Sequence, residues 1–306
     1  MGIRPGGPVP VPAQLPPVLL ARDHLGGDVA QQLKTKQVRR VGKGVFLPAD
    51  MPHRPLDVAL AQIVAAHEQL TAPHCISHES AALVWGLPLW QAPGLVHVRT
   101  STHAGSARPR SVRRHDETTP AELMTQVNGL PVTSLALTAV DCARTMPALD
   151  ALVVLDAALR AGLCHEDVTA VLDTMPGRRG TRRARLLARH ADGGAESPRE
   201  TWTRFHLLQA GMPTPVTQVP VPTRRGTYWA DMGIAEWHLL IEYDGRDKYT
   251  DLAVVWDEKL RQDAITATGS HMLRVIGNTH PKTFVADVLT HAPPGWRPTP
   301  RPELNH

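Results

Sequence analysis

The stretch Tyr228–Lys248, YWADMGIAEWHLLIEYDGRDK, constrains the fold of this chain more than any other. It reads as a strand, a tight turn, a second strand that is almost wholly apolar from Leu239 to Tyr243, and a break at Gly245. A hairpin turning about Glu236–Trp237 sets Asp231 opposite Glu242, Met232 opposite Ile241 and Ile234 opposite Leu239. Directly opposed side chains of an antiparallel pair share one face, with Cβ atoms about 5 Å apart. Asp244, two residues beyond Glu242, points to that same side. Three carboxylates so placed repel one another, the more so when partly buried. A divalent cation that takes oxygen ligands, Mg²⁺ or Mn²⁺, relieves the repulsion. Water does the same if the acids line the wet face of the hairpin, so spacing alone leaves both readings open.

With 306 residues, two domains, or two plus a small module, are expected. Aromatic residues make up only 4%, so the cores must be built from Leu, Val and Ala. Pro and Gly recur without a period, which excludes collagen and solenoid architectures. The net charge of +4 confines any nucleic-acid surface to a local patch. Its natural currency is arginine, which grips phosphate with two donors at once. Cys75, Cys142 and Cys164 are odd in number and scattered, which argues against a disulfide framework and against a zinc site and suits buried thiols in a reducing cytoplasm. No apolar run reaches the roughly 18 residues of a membrane span. Residues 1–16 carry no hydrophobic signal region and read as a disordered tail.

Residues 17–25 suggest a short helix, Gly26-Gly27-Asp28 a turn with Asp28 as N-cap, Val29–Gln37 a second helix, and Val38–Leu47 a basic two-stranded ribbon. Helix, turn, helix and ribbon over 17–50 spell a small winged helix-turn-helix. In it Lys34, Lys36, Arg39, Arg40 and Lys43 fall where such a module meets DNA phosphates. A small helical cap with a solvated basic face fits the same pattern. From Arg54 the texture becomes alanine-rich helix, and Ser77-x-x-Ser80 opens another that stops at Gly86. Val96–Thr100 and Ser111–His115 read as strands, Leu135–Arg144 as a helix capped by Ser134, and Ala148–Ala161 as a further helix. His78-Glu79 has Ala82 where a zinc motif needs its second histidine, so capping and core hydrogen bonding are the roles expected there. No nucleophile elbow surrounds Ser77, which excludes serine hydrolysis. Residues 176–195 form a basic connector in which Arg178, Arg179, Arg182, Arg183 and Arg185 either hold phosphates or face solvent. Ser197-Pro198-Arg199-Glu200 is a capping box. A strand at Gln218–Val221, the hairpin, a helix over 256–268, a strand over 271–276 and a proline-rich tail from 293 complete the chain.

Two segments resemble known families. Ser77-His78-Glu79-Ser80-Ala81-Ala82 with Trp85-Gly86-Leu87, then Gly129–Ser134 followed by a helix carrying Val140-Asp141, are similar to AbiEi-type antitoxin-like proteins over about residues 17–190. That resemblance implies a winged helix ahead of a mixed α/β segment over 54–175, DNA binding, repression of its own operon, and a toxin partner or a place in phage defence. A nucleotidyltransferase toxin encoded next door would mark the antitoxin role. Asp231-Met232, Ile241-Glu242-Tyr243-Asp244-Gly245, Glu258-Lys259-Leu260-Arg261-Gln262-Asp263 and Met272–Val275 resemble, in order, the PD-(D/E)XK nuclease core of Vsr-like endonucleases. That implies a restriction-endonuclease-like α/β domain over 196–292, after the connector 176–195 and before the tail 293–306. Asp231, Glu242 and the Tyr243 carbonyl would be ligands of Mg²⁺ or Mn²⁺, and Glu200 on the opening helix would complete the set. Asp244 stands where such nucleases carry lysine, so Lys248 or Lys259 would supply that charge. The expected fold class is mixed α/β. The expected function is a DNA-binding, cation-dependent endodeoxyribonuclease, with a non-enzymatic regulator or antitoxin on a nuclease-like scaffold as the alternative.

Overall fold

The computed structural model describes residues 7–24, 26–101, 111–244, 260–277 and 279–305. The fold is mixed α/β. The chain divides into two compact units, one of Pro10–Met146 with Ala161–Arg185, the other of Pro147–Arg160 and Leu186–His306 with the residues up to Val9.

The first unit opens with a three-stranded antiparallel sheet in which β3 (Val45–Pro48) lies between β1 (Leu19–Leu20) and β2 (Val38–Gly42). Val29 of α1 (Gly26–Lys34) packs on Val38 and Phe46, while Leu20 and Val45 pack on Ala65 of α2 (Pro55–Gln69). The described residues 17–24 do not form the α-helix that the sequence suggests over 17–25. Leu19–Leu20 are a strand paired with Phe46 and Val45, and Ala21–Asp23 make a single 3₁₀ turn. A segment this short cannot repay helix nucleation on its own, whereas pairing buries Leu20. Asp28 sits within the first turn of α1 rather than ahead of it, where its charge still suits the positive helix end.

A five-stranded sheet follows, in the order β6-β5-β4-β8-β7: β4 (Cys75–Ile76), β5 (Val96–Arg99), β6 (Val112–His115), β7 (Met124–Val127) and β8 (Leu130–Thr133). The helix α3 (His78–Val84) leaves β4 and ends at Gly86, whose φ is +73° and whose added Cβ would lie 1.8 Å from the Val11 carbonyl oxygen, so no other residue fits. The helix α4 (Leu135–Thr145) starts where the Ser134 hydroxyl accepts the Leu137 amide at 3.2 Å. Its Asp141 is wholly buried and accepts from Arg99 at 3.0 Å and from Arg144 at 3.3 Å. Burial pushes the Asp141 carboxyl up to about 6 against the pull of Arg99. The helices α5 (Ala148–Arg160), α6 (His165–Asp173) and α7 (Thr181–Ala188) come next.

In the second unit α8 (Pro198–Gln209) precedes the meander β9 (Val216–Thr223), β10 (Gly226–Ile234), β11 (Leu239–Asp244). Then come α9, described over 260–266, β12 (His271–Ile276) and α10 (Pro281–Leu289). Strand order is β12-β11-β10-β9, with β12 parallel to β11, as a connection through a helix requires. Met232, Ile234, Leu239, Ile241 and Val275 pack with Leu207 of α8 and Phe284 and Val288 of α10, whereas Leu240 packs with Val221, Ala230 and Ile265 of α9. Burial on both faces explains why β11 reads as an unbroken apolar run rather than an alternating one. The helix α5, which sequence places in the middle segment, groups with this unit. Its buried Asp156 accepts from Arg204 of α8 at 2.6 Å, from the Thr201 hydroxyl at 2.9 Å and from the Asp192 amide at 2.8 Å. Among the described residues, no helix is long and apolar enough to cross a membrane.

Candidate nucleic-acid interface and an acidic site

The hydrophobic seat formed by Val29, Val38 and Phe46 holds α1 and the ribbon together and turns their polar residues outward. Lys34 ends α1, Lys36 lies in the turn after it, Arg39 and Arg40 lie on β2, and Lys43 sits in the turn between β2 and β3. All five are exposed. Arg39 and Arg40 are neighbours on a strand and so point to opposite faces, which spreads the positive charge around the ribbon instead of along one side. The Arg40 Nε donates to the Gly42 carbonyl at 3.1 Å and so stays close to the turn.

The connector arginines are less uniform. Arg178, Arg179 and Arg182 are exposed, with Arg178 3.0 Å from Glu117. Arg183 is half-buried and donates to the carbonyls of Ala143 and Met146 at the end of α4. Arg185 lies 2.6 Å from Asp173. Two of the five therefore join helices of the unit.

At the start of α8 the Ser197 half of the capping box forms, while the Glu200 carboxylate takes the amide one residue earlier than the motif requires. The Ser197 hydroxyl accepts the Glu200 amide at 3.2 Å, and the Glu200 carboxylate accepts from the Ser197 hydroxyl at 2.9 Å and from the Glu196 amide at 2.8 Å. Glu200 is buried, and burial together with the nearby Asp231 carboxylate pushes its carboxyl up to about 7. The helix cap and the acid pair are thus properties of one side chain.

The hairpin register follows the sequence: Ile234 pairs with Leu239, Gly233 with Leu240 and Met232 with Ile241. The ladder ends there, one pair short of Asp231 and Glu242. In its place the Asp231 carboxylate accepts the Tyr243 amide at 2.7 Å. Glu242 forms an ion pair with Arg261 of α9. Asp244, half-buried, ends β11 in register with Ile276. The structure therefore brings Asp231 near enough to Glu200 for its charge to be felt there and gives Glu242 a cationic partner. Among the described residues, Asp231, Glu242 and Asp244 do not form a group close enough to share one ion through three ligands. Lys248 and Lys259 lie outside the described residues. Sequence reasoning passed over Arg261 as a partner for Glu242, because the pairing depends on how α9 crosses the sheet. The only local signal was its place in the Glu258–Asp263 motif.

Comparison with known proteins adds relatives for part of the chain. Two uncharacterized proteins of Mycobacterium tuberculosis, MT2308 of strain CDC 1551 and Rv2248 of strain H37Rv, are each 31% identical over 153 residues, or 49% of this chain. The chain spans 56% of the length of these relatives. The crystal structure of the RV2827C protein from Mycobacterium tuberculosis aligns over 70% of this chain and 87% of that one, at 16% identity and a TM-score of 0.37. Residues 74–189, which hold the five-stranded sheet, α3 and α4, match the family described as AbiEi antitoxin C-terminal domain.

Proposed function

We propose that this chain is a DNA-binding protein of the antitoxin type, with duplex DNA as one ligand and a toxin, or another component of a phage-defence system, as a protein partner. The observation that carries the DNA-binding half is the exposed set Lys34, Lys36, Arg39, Arg40 and Lys43 on a ribbon anchored by its own small core. The match of residues 74–189 to an antitoxin domain supports the second half. Contacts of this kind go to phosphates, so affinity should be weakly dependent on sequence and steeply dependent on salt. Filter binding at several salt concentrations tests it. Arg39→Ala, Arg40→Ala and Lys43→Ala combined should weaken binding to all duplexes and flatten the salt dependence. Unchanged affinity and slope would remove the ribbon from the interface.

A second reading, cation-dependent cleavage of phosphodiesters, is favoured by one further observation: Glu200 and Asp231 are close enough for the charge of one to disfavour the charge of the other. Mg²⁺ or Mn²⁺ would be held by these two carboxylates, with the Tyr243 carbonyl as a further oxygen, and it would supply an activated water and charge stabilisation at phosphorus. The protein's own part is orientation. The Tyr243 amide fixes Asp231, Ser197 and the Glu196 amide fix Glu200, and Arg261 balances Glu242. Lys248 or Lys259 would add positive charge. Plasmid cleavage that requires Mg²⁺, stops with chelator and is lost in Asp231→Asn supports this reading. Absence of both cleavage and cation-dependent stabilisation leaves the regulator reading alone.

A further inference from the structure

We propose that His78, His97 and His115 bind one zinc-class divalent cation in the five-stranded-sheet unit. The site is separate from the basic ribbon and from the acids of the second unit. Among the described residues these are the one group of three ligand-type side chains whose donor atoms all lie within 4.8 Å of one another. Topology assembles them. On the parallel pair β5–β6, His97 lies opposite Arg113 and Arg99 opposite His115, so the two histidines are diagonal neighbours on one face. His78 arrives from the first residue of α3, immediately after β4. Its φ of +52° lies in the left-handed region, a strained conformation that persists where the surroundings impose it.

The distances fit a metal better than they fit a hydrogen-bond network. His115 Nε2 is 3.3 Å from His97 Nδ1, and Glu79 Oε2 is 3.1 Å from that same Nδ1. A single His97 Nδ1 cannot donate well to a carboxylate and also receive a proton from His115. Accordingly, among the described residues, the buried Glu79 Oε2 makes no hydrogen bond of good geometry. Ligands at about 2.0–2.1 Å from a tetrahedral ion lie about 3.3 Å apart, which is the His97–His115 spacing. A cation between these groups satisfies the two rings and gives the Glu79 carboxylate a positive neighbour. His78 Nδ1 faces the Ser77 hydroxyl at 3.0 Å and Asp141 Oδ2 at 3.6 Å, which leaves Nε2 for the ion. A carboxylate behind a ligating histidine is the usual support for such a ligand. The imidazole set selects zinc-class ions over Mg²⁺. At present the rings of His78 and His115 stack at 3.7 Å. His115 is half-buried on the edge strand β6.

The scattered cysteines and the missing second histidine after His78-Glu79 pointed away from zinc, because both are local signals. These ligands come from three elements, and no window of sequence contains them. The test is calorimetric titration of the untagged full chain, stripped with chelator, with Zn²⁺, together with the visible spectrum of its Co²⁺ form. The variants are His97→Gln, His115→Gln and, as a control, His67→Gln with His74→Gln, whose rings form a second close pair at 3.0 Å. The expected result is one Zn²⁺ per chain, a tetrahedral Co²⁺ spectrum, and binding weakened more than ~100-fold in His97→Gln and in His115→Gln, beyond what loss of a supporting group gives. The control should bind as wild type does. No binding by wild type, binding unchanged in both single variants, or binding lost only in the control would each overturn the proposal.

Discussion

Replacing Glu200 by glutamine should flatten the dependence of stability on pH between about 4.5 and 7. The Glu200 carboxyl is pushed from its ordinary 4.5 to about 7 by burial and by the Asp231 carboxylate. Over that window the folded protein keeps a proton that the unfolded chain has released. A carboxyl with a raised folded pKa contributes stability that is fully present below its unfolded pKa and is lost as pH rises through the folded one. At 1.36 kcal/mol for each tenfold change in proton affinity, the whole effect is about 3 kcal/mol, present at pH 4 and gone by pH 8. Glutamine is neutral throughout and keeps an acceptor for the Glu196 amide, so the variant should gain on wild type by about that amount as pH rises. Urea unfolding at pH 5, 6, 7 and 8, followed by tryptophan fluorescence, measures it. Trp202, Trp237 and Trp296 all pack in the core beside α8. If Glu200 and Asp231 also hold a cation, saturating Mn²⁺ at pH 7.5 should return about 3 kcal/mol to wild type at a hundred times the Kd, and much less to the variant. Parallel pH profiles for the two proteins would refute the reasoning, since they would mean that Glu200 is ionised in the folded state.

Three further outcomes are expected. Asp156→Asn leaves the buried Arg204 guanidinium without its counter-charge, and should cost about 3–5 kcal/mol in a denaturant titration. Gly86→Ala forces a methyl onto the Val11 carbonyl at a φ of +73°, and the lowered thermal midpoint should correspond to at least ~1–3 kcal/mol. The combined Arg39, Arg40 and Lys43 alanine variant should lower the slope of log affinity against log salt by about 0.9 for each of the three that contacts a phosphate.

The sequence shows best what periodicity and turn chemistry decide locally. The register from Met232–Ile241 to Ile234–Leu239 follows from a turn placed at Glu236–Trp237. The Ser197 cap on the Glu200 amide follows from the order of four residues. The first misreading, a helix at 17–25, arose because a leucine pair that looks helical in isolation is claimed by Phe46 and Val45 across a sheet. The others share that cause at longer range. Asp231 stands beside Glu242 in an extrapolated ladder, but the ladder ends when its carboxylate captures the Tyr243 amide. Glu242 looks like a repelling acid until α9 brings Arg261 to it. In each case the charge of a side chain could be read from the sequence and its partner could not. The partner is set by the crossing of two elements, and only the partner decides whether a buried acid is a structural pair, a raised acid or a ligand. His97 and His115 follow the same rule: eighteen positions apart in the chain, they meet through a parallel register that neither segment encodes alone.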